Sequence, residues 1–355
     1  MIRSLSPASQ MEVLDANQDR VSQSPTASHN LLSVHDLTVN FRLDHEREAN
    51  VLKQVSFNID HAEIVGLLGE SGSGKTTTAL SLIRLLPENA RTTAGSICFR
   101  GQELLELDGR QLRTIRGAAI SIIHQDSHVL NPVMRVGNQV MEVLRAHKSD
   151  RVAHMREEIH SLFAALGLED FDRIYRAFPH QLSGGERRRV AIAQALICKP
   201  SLVIADEPSA WLDTETTSDL LSLFRQLREM YDTAFLIISH DPDVLMAADR
   251  VLVMYAGEIV EDAPRREIFE QPMHPYTSAL FQCSVLRSAT RCAKTKLRSL
   301  PYIPGQAPDP SEVPAGCAFS GRCTEHLDAC DLRRPVLHAI STSRSVRCIR
   351  HEAGS

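Results

Sequence analysis

The stretch "GESGSGKT", Gly69 to Thr76, decides the fold. It fits the pattern G-x-x-x-x-G-K-[ST], in which loop amides cradle the phosphates of a nucleotide. Gly72 and Gly74 should let the backbone wrap closely around the anion, where a side chain would obstruct the approach. Lys75 should reach the β- and γ-phosphates, and the Thr76 hydroxyl should bind Mg²⁺. The flanks agree with this reading. "EIVGLLG" is a short buried strand leading into the loop, and "TTTALSLIRLL" reads as the helix after it, its N-terminus turned toward the anion.

Working outward, "LLSVHDLTVNF" and "VLKQVSFNI" alternate like strands on the N-terminal side. On the C-terminal side, the apolar runs "SLVIAD" and "TAFLIIS" are separated by the helical "TTSDLLSLFRQLREMY". Strand, helix and strand in that order predict a parallel sheet with crossover helices, hence an α/β fold. "LVIADE" places Asp206 at a strand end, where a carboxylate can hold Mg²⁺, with Glu207 next to it to polarise an attacking water. An acidic pair ending a strand is otherwise just a turn onset, and it takes its meaning here from the phosphate loop. "MREEIHSLFAALGL" is an amphipathic helix in a mostly helical middle section.

Of the 355 residues, 43% are hydrophobic, enough for a sizeable core, and the formal net charge of −5 argues against a nucleic-acid binder driven by bulk charge. "MIRSLSPASQMEVLDANQDR" lacks the apolar run of a secretory signal, and stretches such as "AAISII" are far below membrane-spanning length. These features predict a reducing cytosolic setting, with any membrane role exercised through a partner. Residues 1–30, rich in Ser, Gln, Asp and Asn, read as a flexible tail.

"LSGGERRRVAIAQAL", Leu182 to Leu196, narrows the class. Here the chain resembles the ATPase subunits of ABC transporters. "SGG" alone would be an ordinary helix cap, and the Arg187–Arg189 run a solvated or interface face. The resemblance implies a RecA-like core, an antiparallel β subdomain and an α-helical subdomain, with an ATPase domain over 31–270 and its helical part near 126–182. It implies that Gly69, Glu70, Ser71, Gly72, Ser73, Gly74, Lys75, Thr76 and Thr77 hold ATP, with Thr76, Gln125 and Asp206 around Mg²⁺. It implies Glu207 as the catalytic carboxylate, Gln125 in "IIHQD" as a sensor of Mg²⁺, water and the membrane partner, and His240 in "IISHD" as the γ-phosphate switch. Ser183, Gly184, Gly185 and Glu186 would grip ATP held by the opposite subunit, and Asp213 would lie in the loop between subunits. Phe41 stands where the family stacks an aromatic ring on adenine, although a lone Phe at a strand end equally suits a core. Two features depart from the family pattern: "AWLD" with Trp211, the single tryptophan, and the shortened "DSHVLNP" after Gln125.

From residue 271 to 355 the chain reads as a proline-rich extension. "QPMHPYTSAL", "IPGQAPDP" and "GCAFSGRC" resemble the dipeptide, oligopeptide and nickel branch of ABC importers. Its cysteines follow C-x5-C-x6-C-x17-C at Cys317, Cys323, Cys330 and Cys348. In that branch such a block is associated with an iron–sulfur cluster, [4Fe–4S] by type. Four thiolates meet a cluster's ligand count, structural Zn²⁺ is the alternative, and reduced thiols packed in a loop domain are the third reading. The remaining cysteines are scattered and read as buried hydrophobes.

The function so implied is the ATP-hydrolysing subunit of an importer for peptides or related small solutes, peripheral on the cytoplasmic face of the plasma membrane. Its expected partners are a second ATPase subunit, by family habit a paralogue, two permease subunits and, indirectly, a substrate-binding protein, with no nucleic acid. Import of nickel chelates or opines is the alternative within the branch. A non-transport ABC ATPase with a redox-sensing cysteine tail is the rival outside it. The segment from Lys75 to Ser183 shows no sustained heptads, which disfavours a coiled-coil DNA-repair ATPase, and one phosphate loop disfavours a two-unit translation factor.

Overall fold

A computed structural model describes residues 30–44, 47–124, 130–148, 151–210, 214–292, 302–312 and 314–352. The N-terminal tail lies outside them up to residue 29. The chain builds two sheets. β1 (Asn30–Arg42) and β2 (Glu48–Asp60) pair antiparallel, as their alternation predicts. β3 (Ile64–Leu68) then carries the chain into the second sheet and feeds α1 (Lys75–Leu82). The expected helix through Leu86 stops early, with Arg84 in the left-handed region at φ 51°. β4 (Ala90–Phe99) and β5 (Gln102–Glu103) complete the first sheet in the order β2-β1-β4-β5.

After α2 (Gly109–Ile115), β6 (Ile120–Ile123) returns to the second sheet. Three helices follow, α3 (Val136–His147), α4 (Val152–Ala165) and α5 (Phe171–Arg176), and then α6 (Gly184–Leu196). β7 (Leu202–Asp206), α7 (Thr214–Tyr231) and β8 (Ala234–Ser239) form the predicted strand, helix and strand. β9 (Arg250–Tyr255) and β10 (Glu258–Pro264) make an antiparallel pair. α8 (Arg265–Glu270) follows, and α9 (Pro275–Cys292), α10 (Ala329–Leu332), β11 (His338–Ala339) and β12 (Ser345–Val346) belong to the extension.

The second sheet runs β11-β12-β10-β9-β3-β8-β7-β6. β9, β3, β8, β7 and β6 are parallel to their neighbours within that run, and every residue of β3, β7 and β8 is buried. Their unbroken apolar character follows from being covered on both faces. The period of two divides each strand between two cores. Leu236 and Ile238 of β8 face α1 and the inner side of the first sheet. Phe235 and Ile237 join the core that holds α3, α4, α6 and α7.

The proline-rich extension is fastened to both sheets. β12 continues the second sheet beyond β10, pairing Val346 with Glu261 and Ser345 with Asp262. Pro310 O accepts the Asn50 N–H of β2 at 3.1 Å. Tyr276 and Phe319 are buried in the same core as α7 and β8. The two-sheet region therefore passes without a break into a segment whose short strands extend the sheet from the edge of β10.

Candidate nucleotide site

The loop after β3 closes tightly because of two glycines. A Cβ at Gly69 would stand 2.3 Å from Met254 O, so close packing against β9 admits no side chain there. Gly74 caps α1 at φ 109°, a conformation that disfavours a side chain, and a Cβ there would lie 2.8 Å from Leu52 Cδ2. Gly72, expected to relieve crowding, faces open space instead, and its φ of 82° is what calls for glycine. No side chain caps α1, which leaves its first amides for an anion.

Lys75 Nζ donates to Gly69 O at 2.8 Å and to Glu70 O at 2.9 Å, so the ammonium bridges the loop it must serve. Burial pulls its pKa below the ordinary lysine value, against the opposing field of Glu207, Asp206 and Glu70. Asp206 ends β7 beside this loop. Burial pushes its carboxyl upward, opposed first by a hydrogen bond from Thr76. Its Oδ1 is buried with no hydrogen-bond partner. A buried carboxylate oxygen without a partner, next to a Thr hydroxyl, is the donor set that a hard cation such as Mg²⁺ takes.

Glu207 sits at φ 48°, its N–H held by Ile238 O at 2.9 Å, so a strained backbone aims its side chain out of the strand end. Glu207 Oε1 meets His240 Nδ1 at 2.9 Å. The carboxylate is mostly buried, while the imidazole is exposed. Phe41, Val51, Ser71, Gly72, Gly74, Lys75, Thr76, Thr77, Glu207, His240 and Pro310 line one cleft of about 490 Å³. Phe41 is half-buried at the end of β1, and Pro310 stands on the same cleft. Pro310 and Val51 were not legible in the sequence as site residues, because each reaches the cleft only through long-range folding.

The "SGGE" segment lies elsewhere. Ser183 caps α6, accepting the Glu186 N–H at 3.2 Å, while Glu186 Oε2 accepts the Ser183 N–H at 2.9 Å. Arg173 holds Glu186 and lowers its carboxyl pKa. Ser183, Gly184 and Gly185 are exposed, and a Cβ on either glycine would meet nothing within 4 Å. None of the four lines the phosphate-loop cleft. They form an outward-facing helix N-terminus with a serine hydroxyl and bare backbone. Arg187, Arg188 and Arg189, expected on a solvated or interface face, are half-buried, and Arg189 donates to Leu166 O at 2.7 Å. Gln125, Trp211 and Asp213 lie outside the described residues.

Cys317, Cys323, Cys330 and Cys348 are gathered in the extension, all as free thiols. Cys317 feels the other three electrostatically, and Cys348 feels Cys323 and Cys330. Burial raises the Cys317 thiol to about 11 and pushes Cys323 and Cys348 upward. The backbones of Phe319, Glu325 and Arg350 hydrogen-bond the sulfurs of Cys317, Cys323 and Cys348 respectively. Among the described residues, no group of three or more His, Cys, Asp or Glu side chains is arranged around a single metal ion. No described helix is long and apolar enough to cross a membrane.

The family model described as "ABC transporter" matches residues 52–210, and that described as "Oligopeptide/dipeptide transporter, C-terminal region" matches residues 260–330. The chain is 38% identical over 334 residues to the oligopeptide transport ATP-binding protein OppD of Salmonella typhimurium, covering 94% of this chain and 97% of that protein. It is 39% identical over 321 residues to the dipeptide transport ATP-binding protein DppD of Bacillus subtilis, covering 90% and 94%. Among solved structures it is similar to the ATP-binding cassette MJ0796, a dimer in a post-hydrolysis state bound to ADP and phosphate. The TM-score is 0.59 at 27% identity, covering 66% of this chain and 99% of that one.

Proposed function

The chain belongs to the ATP-binding proteins of the oligopeptide and dipeptide ABC transporters, and from that premise we infer how its residues use ATP to energise peptide import. The observation that carries the reading is a division of labour. Lys75, Thr76, Glu207 and His240 line one cleft, with Asp206 buried beside Thr76, whereas Ser183, Gly184 and Gly185 are exposed elsewhere. Each subunit thus holds half of a site. The other half comes from the signature of a second subunit, a reading supported by the likeness to the ATP-binding cassette MJ0796, which is a dimer.

ATP lies with its base toward Phe41 and Pro310 and its phosphates in the loop 69–77. The loop amides, the start of α1 and Lys75 neutralise the phosphate oxygens. Thr76 and Asp206 would hold Mg²⁺, which when bound would supply positive charge against the negative charge that grows on the phosphates. Glu207 accepts a proton from the attacking water, and its hydrogen bond from His240 Nδ1–H fixes the ring, which in its imidazolium form also donates Nε2–H to the γ-phosphate. The outward signature of the partner completes the γ-phosphate cradle, so hydrolysis waits for closure. Gln125 and Asp213 take the sensor and interface roles that the family pattern assigns to them. The chain works from the cytoplasmic face, joined to two permease subunits and a paralogous ATPase, with peptides delivered by a binding protein.

The cysteine block supplies the four thiolates that a [4Fe–4S] cluster needs, and in the described structure they do not converge on one metal position, so loading would require the block to tighten. Four sulfurs from separate turns lie within electrostatic reach of one another, and backbone groups bond three of them. When bound, the cluster would staple a segment with little core of its own. Protein purified without oxygen should hold about four iron and four sulfide per chain, whereas stoichiometric zinc would decide for Zn²⁺.

The central test is made on purified full-length protein. Wild type should bind and hydrolyse ATP, Lys75→Ala should do neither, and Glu207→Gln should form an ATP-dependent dimer by light scattering. A Glu207→Gln protein that binds ATP as a monomer at all concentrations would refute the shared site. In the host, deletion of the gene should abolish uptake of short peptides, and the Lys75→Ala copy should fail to restore it.

A further inference from the structure

Glu70 belongs to the phosphate loop, yet its side-chain partner comes from the far end of the chain. Its N–H donates to the Tyr276 hydroxyl at 2.9 Å. Its carboxylate is gripped by Arg322, Nη1 to Oε2 at 2.8 Å and Nη2 to Oε1 at 3.1 Å. Such a two-pronged pair defines the plane of the carboxylate as well as its distance. The Arg322 side chain is only 8% exposed.

Arg322 is itself held in place. Its Nε donates to Pro304 O at 2.8 Å and its Nη1 to the Tyr255 hydroxyl at 3.3 Å. The guanidinium lies 5.7 Å from the Tyr255 ring centre and 6.0 Å from that of Phe319. Tyr255, Tyr276 and Phe319 pack on one another at 4.6 to 5.4 Å between centres. Arg322 ends the short turn Ser320–Arg322, inside the loop between Cys317 and Cys323. Ser320 N–H donates to Cys317 O at 3.0 Å and Cys323 N–H to Ser320 O at 3.2 Å. A change in the spacing of those two thiols therefore displaces Arg322. On the other side, Glu70 O accepts the Lys75 ammonium, and the Glu70 carboxylate acts on the same ammonium through space.

We propose that Arg322 is a positioning residue for the phosphates of ATP, acting through Glu70, and that it couples the cysteine block to nucleotide affinity. The proposal rests on the nucleotide reading of the loop given above. Neutralised by Arg322, Glu70 neither repels the incoming polyanion nor competes for Lys75. Released from Arg322, its carboxylate does both. The link from thiols to phosphates thus runs through the backbone of the turn 317–323, the Arg322–Glu70 pair and the Glu70 carbonyl that Lys75 holds.

The test measures Mg²⁺-dependent binding of N-methylanthraniloyl-ATP to the full-length chain, with melting temperature followed in parallel. Arg322→Met should weaken binding about tenfold, the effect expected of one lost charge-assisted fork, raising KM for ATP with kcat little changed. Adding Glu70→Gln to that variant should restore affinity to within about twofold of wild type, because the freed carboxylate is gone. Cys323→Ser should weaken binding severalfold alone and add nothing in the Arg322→Met background. Arg322→Met with wild-type affinity, or no rescue by Glu70→Gln, overturns the proposal. If Arg322→Met does not fold, Arg322→Lys decides: about threefold weaker binding supports the fork, and wild-type affinity overturns it. Wild type and Lys75→Ala both failing to bind would instead bring down the nucleotide reading and this proposal with it.

Discussion

Replacing Arg344 by Met should loosen the anchor that holds the extension against the ATPase core. Glu261 of β10 is fully buried, and Arg344, from the turn between β11 and β12, is 7% exposed. The carboxylate also accepts the Met273 N–H at 2.9 Å and the His274 N–H at 3.0 Å, shaping the turn before Tyr276. Removing one partner of a buried pair costs about 3–5 kcal/mol, because the other charge stays behind. Here two amides still hold Glu261, so the lower end, about 3 kcal/mol, is expected. That is a large share of the 5–15 kcal/mol typical of a domain. Glu261→Gln combined with Arg344→Met should recover part of the loss, with a coupling energy of about 2 kcal/mol. Urea unfolding of the wild type, both single variants and the double variant measures each value, and limited proteolysis shows whether residues 338–347 undock first. An Arg344→Met protein within about 0.5 kcal/mol of wild type would refute the argument, because the buried carboxylate would then need no cation.

Further outcomes are specific to the nucleotide site. Glu207→Gln should keep ATP binding and lose hydrolysis by a factor of about 10²–10⁴, the scale of a positioned base, as read by phosphate release. Phe41→Ala should weaken nucleotide binding by about 1 kcal/mol and Phe41→Trp should be tolerated, since one ring stacking contact is at stake; equal affinity in all three would assign Phe41 to the core alone. Asp206, raised by burial, holds its proton longer in the folded chain than in the unfolded one. It therefore costs stability as pH rises from the ordinary aspartate value through its raised value, and a bound cation removes that cost. Stabilisation by Mg²⁺ in thermal melts should grow across that window, and Asp206→Asn should abolish the growth.

Local chemistry was legible in the chain wherever function is written in neighbouring residues. The phosphate loop, the carboxylates ending β7 and the histidine after β8 lie on strand ends that buried apolar runs announce. A parallel sheet brings the ends of those strands to one edge, so their convergence followed from pattern alone. Contacts between distant segments were not legible in the same way. Arg322 and Glu70 are 252 positions apart, and nothing in "GRC" or "GES" advertises a partner. Gly69 needs its missing side chain because of Met254, a residue of β9.

By itself, then, the sequence determined the phosphate-loop motif, the acidic and histidine residues around it, the α/β class and the presence of a four-cysteine block. Motif residues adjacent in the chain share one turn, and the backbone geometry of that turn is local. Only the tertiary structure decided that Ser183 to Glu186 face away from the cleft, that Pro310 borders it, and that the cysteine block reaches the phosphate loop through Arg322. Those relations are set by which faces of distant elements bury one another: the aromatic cluster of Tyr255, Tyr276 and Phe319 docks the extension onto β9, and that docking, rather than any local pattern, carries the guanidinium to Glu70.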